Sequence, residues 1–540
     1  MRRIANCLTI LWIALVPVVS RAADEKPIEP AFVVRVKPVE GLLGDVKYIA
    51  KLVGQGDAAE QLDGVIDAWM GEKGLAGSGV DIKKPILLYA LATPTGTDSP
   101  FSLVIPIANE ANFLSFLKNH HVNAEQDNDE VYALDLPTSP VPVFFRLANK
   151  CAYVTAQERH HLDAAKLVTP EKIPVADAKS VVEVTLRFDR MPDDLKNMIL
   201  GQIELRLAEI KERKNPDETP DQARIRKQGI DVLGVIIKTV LSEGKSLNFL
   251  WTIDRNKEDI ALALTLDGKP NTLMASTIEM LAGGKSRFAP AKDAAFHAGL
   301  NLAVPDAIRV LVNPLIEMGM KDAVAREADA GKKAMITKAI DAVGPTLKAG
   351  VVDLHIAAGS PNSGGNYNLL AALGVQRGDK IESAVREFMS QIPAKDRANI
   401  TTDVAKINGT SLHQLKIENL DAEGKRLFGP SASAWAGFGK TAIMLGLGGD
   451  AAATFAGMTT NDPPQPAPML VIEGSLAKLA SLDKNPAANQ VAGQVFASSA
   501  GSDHFRISLN GGKQLRLDAS FKGRGLTFFQ QLNEKKKDSN

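Results

Sequence analysis

The chain has 540 residues with 63 basic and 63 acidic side chains. That balance argues against nucleic acid as a main partner, because phosphate binding needs a concentrated basic surface. Two cysteines, Cys7 and Cys151, lie far apart, and the length is enough for roughly two to four domains.

Arg2 and Arg3 precede the apolar run Leu8–Val19, and Ser20-Arg21-Ala22-Ala23 follows. This order predicts a signal peptide over residues 1–22, cleaved after Ala22. The run is short of the roughly 20 residues that a membrane span needs, so the mature chain is expected to carry no transmembrane segment. An exported protein, periplasmic or extracellular, is the expectation. Removing Arg2, Arg3 and Arg21 from 63 basic residues leaves 60 against 63 acids, a formal charge of −3. Only Cys151 then remains, so no internal disulfide can form, and its alternating run Cys151–Thr155 reads as a buried strand thiol.

A first unit, 31–119, opens with the strand Ala31–Lys37. Helices follow, with Leu42, Val46 and Val53 and then Leu62, Val65, Ile66 and Trp69 at helical spacing. Ile86–Ala92 and Phe101–Ala108 read as paired strands, and Asn109 caps a helix over Glu110–Asn119. A connector, 120–179, holds the strand Val131–Leu136, the hairpin Val143–Leu147/Cys151–Thr155 and a helix about Gln157–Leu167. The second unit, 180–282, repeats the order of the first. Its strand Val181–Phe188 leads to helices near Asp193–Arg213 and from Pro220. Leu247, Phe249, Trp251 and Ile253 then alternate with polar or small residues against Ile260, Leu262, Leu264 and Leu266.

The third unit, 294–391, has the strand Ala295–Val304, helices near Asp306–Arg326 and Ala328–Val343, two strands and the helix Lys380–Ser390. The connector 392–466 contains strands at Leu412–Ile417 and Ala442–Leu447, a small-residue helix at Ala451–Met458, and a proline-rich joint at Pro463-Pro464 and Pro466. The fourth unit, 467–532, closes on the hairpin His504–Asn510/Lys513–Phe521 and a final helix. The order predicts an α+β protein: antiparallel sheets with helices packed on one face, built from about four recurring strand-helix-helix-strand-strand-helix units. These fall into two similar halves, 24–288 and 289–540, as a tandem duplication would give.

Chemistry is sparse. Gly437-Phe438-Gly439-Lys440-Thr441 fails as a nucleotide loop because Ala434 stands where its first glycine is needed. Neither a Gly-x-Ser-x-Gly elbow nor a His-Glu-x-x-His helix is present. The metal candidates are His120, His121, His160, His161 and Asp163, which would meet if the connector folds back. His297, His355, His413 and His504 fall in or beside expected strands, too spread in sequence to define one site. No catalytic residue and no cofactor is expected.

Ala31-Phe32-Val33-Val34-Arg35-Val36, followed by Gly79-Val80-Asp81-Ile82-Lys83-Lys84-Pro85 ahead of a strand, resembles exported bacterial proteins of unknown function of the planctomycete type. The resemblance covers mainly residues 31–108. It implies a periplasmic or surface location and brings no catalytic residues. The expected role is a non-catalytic ligand-binding or interaction scaffold, with an apolar small molecule or another exported protein as partner, bound between the halves. The helix carrying Met318 and Met320 could line such a groove. The alternative is a hydrolase or metal-dependent enzyme whose site is assembled from distant segments.

Overall fold

The computed structural model describes residues 29–538 except 71–73, 95–98, 128, 137–138, 157, 174–176, 178, 214–217, 291–293, 305, 393–396, 408–409, 451–453, 456–457, 484–485 and 498–500. The expected signal peptide, 1–22, lies outside the described residues. The chain is an α+β protein that divides into two compact units between Met274 and Ala275.

The first unit contains β1 (Phe32–Val36), β2 (Ile86–Ala90), β3 (Phe101–Pro106), β4 (Asn123–Gln126), β5 (Val131–Asp135), β6 (Val143–Ala148), β7 (Cys151–Ala156), β8 (Ser180–Arg187), β9 (Gly244–Asp254) and β10 (Asp259–Gly268). They form one antiparallel sheet in the order β4-β5-β6-β7-β3-β2-β1-β8-β9-β10. Residues paired across antiparallel strands point to the same face. One row therefore runs Leu103, Leu88, Val34, Val184, Phe249, Leu264 across six strands. Every member is apolar, and none of them is buried.

The opposite face is closed. Val33, Leu87, Tyr89, Val104 and Tyr153 pack there against Leu162, Val168 and Ile173. Those last three come from the segment 159–173, which consists of 3-10 turns rather than the helix expected about Gln157–Leu167. Its buried residues are six and five apart, a spacing that no single helical face provides. Two tyrosines pin this cover: Tyr153 donates to the Val168 carbonyl at 3.1 Å, and Tyr89 accepts from the Val168 amide at 3.2 Å.

On the open face, the helix Glu110–Asn119 covers only the β4 end of the sheet. Asn109 caps it by accepting from the Asn112 amide at 2.9 Å. Phe113 then meets Phe145 edge-on at 5.9 Å. The longer helices behave differently from expectation. Thr219 and Gln222 make a capping box for Pro220–Glu243, which pairs with Asp193–Glu212. Yet Leu205 stays 69% exposed, with Ile210, Val235 and Ile236 also exposed; Leu195 and Leu241 are buried. The apolar stripe of Asp193–Glu212 is about one residue per turn wide, too narrow to bury both its partner helix and a sheet.

The second unit contains β11 (Lys285–Pro290), β12 (Phe296–Ala303), β13 (Val351–Ala358), β14 (Leu369–Gly374), β15 (Ile400–Ile407), β16 (Thr410–Lys416), β17 (Ser433–Phe438), β18 (Ala442–Gly448), β19 (Met458–Pro466), β20 (Leu470–Ser475), β21 (His504–Asn510) and β22 (Leu515–Lys522). Its main sheet runs β15-β16-β17-β18-β14-β13-β12-β20-β21-β22, all antiparallel. Ala371, Ile356, Ala298, Ile472, Ile507 and Ala519 again form an apolar row across six strands. Ile356 is 44% exposed, and Leu445 beside Ala371 is 54% exposed. Part of this face is covered by the helix Gly378–Gln391, through Ile381 and Phe438.

On the other face Leu370, Leu412, Trp435 and Met444 form the core with Phe288, Phe455 and Met458. Phe288 and Met458 belong to a separate two-stranded ribbon, β11 with β19. The expected proline-rich joint is therefore a strand. Pro463 and Pro464 fall at a register shift, and Pro466 pairs with Lys285 at the end of a ribbon with two edges, positions that tolerate a missing N–H. The 288/289 boundary drawn from sequence falls inside β11. Of the helix expected at Ala451–Met458, residues 451–453 and 456–457 lie outside the described residues, and Met458 opens β19.

The tyrosine clamp sets an expected outcome. Tyr153→Phe leaves the buried Val168 carbonyl without its donor and lowers stability by about 1–3 kcal/mol. Chemical denaturation checks this, and limited proteolysis should then cut first within 157–178. An unchanged midpoint and cleavage pattern would mean that the clamp is idle.

Candidate functional site

A buried polar cluster lies on the covered face of the second unit. Alternation in β12 puts His297, Gly299 and Asn301 on that face. Register sets Gly299 opposite His355 and Asn301 opposite Asp353. The glycine is needed, since a Cβ at 299 would stand 2.7 Å from His355 Cε1. Ser286 arrives from β11, and Glu473 from β20 lies opposite His297. His297, Asn301, Asp353, His355 and Ser286 are all buried. A cavity of about 240 Å³ adjoins them, with Phe288, Pro466, Ala467, Pro468 and Val471 on its apolar wall.

Ser286 Oγ is 2.8 Å from His355 Nε2, and His355 Nδ1 is 2.9 Å from His297 Nε2. A serine touching a histidine that a third group orients is the layout of an activated nucleophile. The hydrogen bonds decide otherwise. Asn301 Nδ2 donates to the Pro468 carbonyl at 3.0 Å, which turns its Oδ1 toward His355 Nε2, also at 3.0 Å. Asp353 Oδ1 lies 3.3 Å from the same nitrogen. Surrounded by acceptors, Nε2 must carry the proton. Ser286 in turn donates to Asp353 Oδ1 at 2.7 Å and accepts from the Phe288 amide at 2.9 Å. Its hydroxyl is saturated, and the imidazole beside it has no lone pair with which to take its proton.

The same accounting passes along the chain. His355 Nδ1 faces His297 Nε2 at 2.9 Å, and the buried His297 Nδ1 faces Glu473 Oε1 at 3.5 Å. Arg506 engages the other oxygen of Glu473. A hydrogen bond from His297, with the charge of Arg506 behind it, holds the Glu473 carboxyl below the usual range against the opposing pull of burial.

The residues singled out from sequence lie elsewhere. His120 ends the helix Glu110–Asn119 with its ring 4.4 Å from Phe116, and His121 follows with φ +59°. His160 and His161 share a 3-10 turn, their rings 4.8 Å apart. Asp163 pairs with Lys166 at 3.1 Å. Cys151 is buried, and burial pushes its thiol up to about 11, which suits packing rather than attack. Met318 and Met320 are half-buried in the helix Asp306–Ala325. Among the described residues the trio spaced for a metal ion is Glu382, Asp403 and His413. Arg386 already bridges both carboxylates, at 2.6 Å to Glu382 and 2.8 Å to Asp403. His413 Nδ1 accepts from the Asp403 amide at 3.3 Å, so its neutral ring carries hydrogen on Nε2, the atom a metal would need bare. This trio is an ion-pair network.

No family model, curated protein or solved structure matches the chain. No helix among the described residues is long and apolar enough to cross a membrane.

The Arg386 network has a definite pH signature. Its hydrogen bond from Arg386 holds the Asp403 carboxyl below the usual range. A depressed carboxyl contributes stability above its unfolded value of about 3.9, and loses it as pH falls through the lower folded value. Arg386→Met should therefore melt below the parent at neutral pH, the gap closing below about pH 4. A gap that persists unchanged to pH 2 would exclude this pair as its source.

Proposed function

We propose that the protein is an exported, non-catalytic binding protein, periplasmic or at the cell surface, whose ligand is an apolar, chain-shaped small molecule. The observation that carries this reading is the uninterrupted apolar row on the open face of each sheet. Water contact with so many aliphatic and aromatic side chains costs about 25 cal/mol per Å², and extended apolar patches mark binding surfaces. At the usual strand spacing a six-strand row spans about 24 Å, the reach of a long hydrocarbon chain. A row without one charged or hydrogen-bonding side chain suits hydrocarbon better than a polypeptide, whose backbone would need partners.

The paired strand orders support a finer reading of the architecture. Both main sheets follow one sequence of connections, with β12–β18 in the places of β1–β7 and β20–β22 in those of β8–β10. We infer a tandem duplication of one unit plan, which would give the protein two such faces.

Fluorescence titration with cis-parinaric acid tests the binding reading. Saturable uptake is expected. Leu262→Asp/Leu264→Asp and Leu445→Asp each should weaken it about tenfold or more, since a tenfold change needs only about 1.4 kcal/mol. An absence of uptake, with no ligand seen by native mass spectrometry of the exported protein, would leave a protein-interaction scaffold. The hydrolase reading rests on the Ser286–His355 contact. Labelling of Ser286 by a fluorophosphonate would establish it and overturn the tautomer argument.

A further inference from the structure

We propose that His297 and His355 share three ring protons, carry one positive charge between them, and act as a proton-operated latch that holds the β11–β19 ribbon on the second unit. Three contacts in a row each need a hydrogen. His355 Nε2 faces Ser286 Oγ at 2.8 Å, Asn301 Oδ1 at 3.0 Å and Asp353 Oδ1 at 3.3 Å. Asn301 is not free to turn and offer its amide, because Nδ2 donates to the Pro468 carbonyl. The rings meet through His355 Nδ1 and His297 Nε2 at 2.9 Å. At the far end His297 donates to the Glu473 carboxylate, with Nδ1 and Oε1 3.5 Å apart.

A neutral imidazole has one N–H and one bare nitrogen, so two neutral rings bring two protons to three contacts. Every neutral arrangement leaves one contact with acceptors on both sides: between the rings, against Glu473, or against Asn301 and Asp353. Such a contact is unfavourable when buried, and His297 and His355 are only 3% and 2% exposed. A third proton completes all three. Its charge then lies between two carboxylates, Asp353 at one end and Glu473 at the other, with Arg506 on the outer oxygen of Glu473. These are the charged groups that meet the pair among the described residues. Flanking carboxylates favour the charged form of histidine.

The ribbon is tied to the Asp353 end of this chain. Ser286 donates to Asp353 Oδ1 at 2.7 Å, and the Arg287 amide donates to Oδ2 at 2.8 Å. Ser286, Phe288, Gln465 and Pro466 of the ribbon also wall the cavity. Loss of the third proton removes positive charge from beside the buried carboxylate that holds the ribbon, and a buried charge is costly without its partner. Unfolded histidines release their protons near about pH 6.5. The latch is therefore closed in the protonated form and weakens as pH rises.

Hydrogen–deuterium exchange of the full chain, corrected for the intrinsic effect of pH, tests the latch. Peptides covering 285–290 and 458–466 should lose protection about tenfold or more between about pH 6 and about pH 8.5, while β16–β18 keep theirs. Glu473→Gln removes a flanking charge at a partly exposed position and should move that loss about 1 pH unit lower. Nitrogen-15 NMR counts the protons directly. At pH 7 the four ring nitrogens of the pair, assigned by difference from His297→Gln and His355→Gln, should be three bonded to hydrogen and one bare. Two bare nitrogens would overturn the shared charge. Ribbon exchange that ignores pH, or that changes at the same pH in Glu473→Gln as in the parent, would overturn the latch.

Discussion

Antiparallel register is the constraint on which the rest of this structure depends. Because side chains alternate with period two, pairing Val34 with Leu88 and Val184 commits every even-numbered residue of β1 to one face. A slip of one residue would bring buried Arg35 and Val33 to the open side and turn Val34 inward. The same commitment in β12 collects His297, Gly299 and Asn301 on the covered face, while Phe296, Ala298 and Leu300 line the other. Polar chemistry and apolar surface are thus separated by parity alone, with the thickness of one sheet between them.

Covering the polar face buries donors and acceptors, and the closing elements partner several of them. In the first unit, a segment without helical periodicity is held through both backbone groups of Val168 by Tyr89 and Tyr153. In the second, the ribbon of β11 and β19 brings Ser286 onto Asp353 and His355. Each contact joins residues far apart in sequence. The acceptors gathered in this way around His355 Nε2 hold a proton on that nitrogen. A tautomer here is a consequence of topology.

Much of this was legible in the sequence, and what was not has physical causes. Strong alternation marked β9 and β10, and Asn109 and Pro220 marked helix starts that the structure contains. Missed strands were of another kind. β4, Asn-Ala-Glu-Gln, and β15, with two threonines and an aspartate, are terminal strands of their sheets and carry little apolar signal. β17 is built from alanine, glycine and serine around Trp435 and Phe438, a composition that reads as a loop. The histidine pairs drew notice because they are adjacent, yet adjacency along a chain says little about convergence. His297 and His355 are fifty-eight residues apart. Their signal was parity: each lies on the minority polar face of an otherwise apolar strand.

The open faces raise the question of what their apolar residues do. A sheet that needs only one covered face ordinarily presents polar residues on the other. Here Leu264, Phe249 and Val184 occupy positions where threonine or lysine would hold the same backbone and improve solubility. The long helices add to the puzzle, for Leu205, Ile210 and Ile236 are also exposed where polar residues would serve a purely structural helix. Folding alone therefore accounts for the covered faces and not for the open ones. On the proposed reading, the apolar residues on the open side serve what they touch rather than what they support, and an uncharged row offers a ligand nothing except hydrocarbon contact.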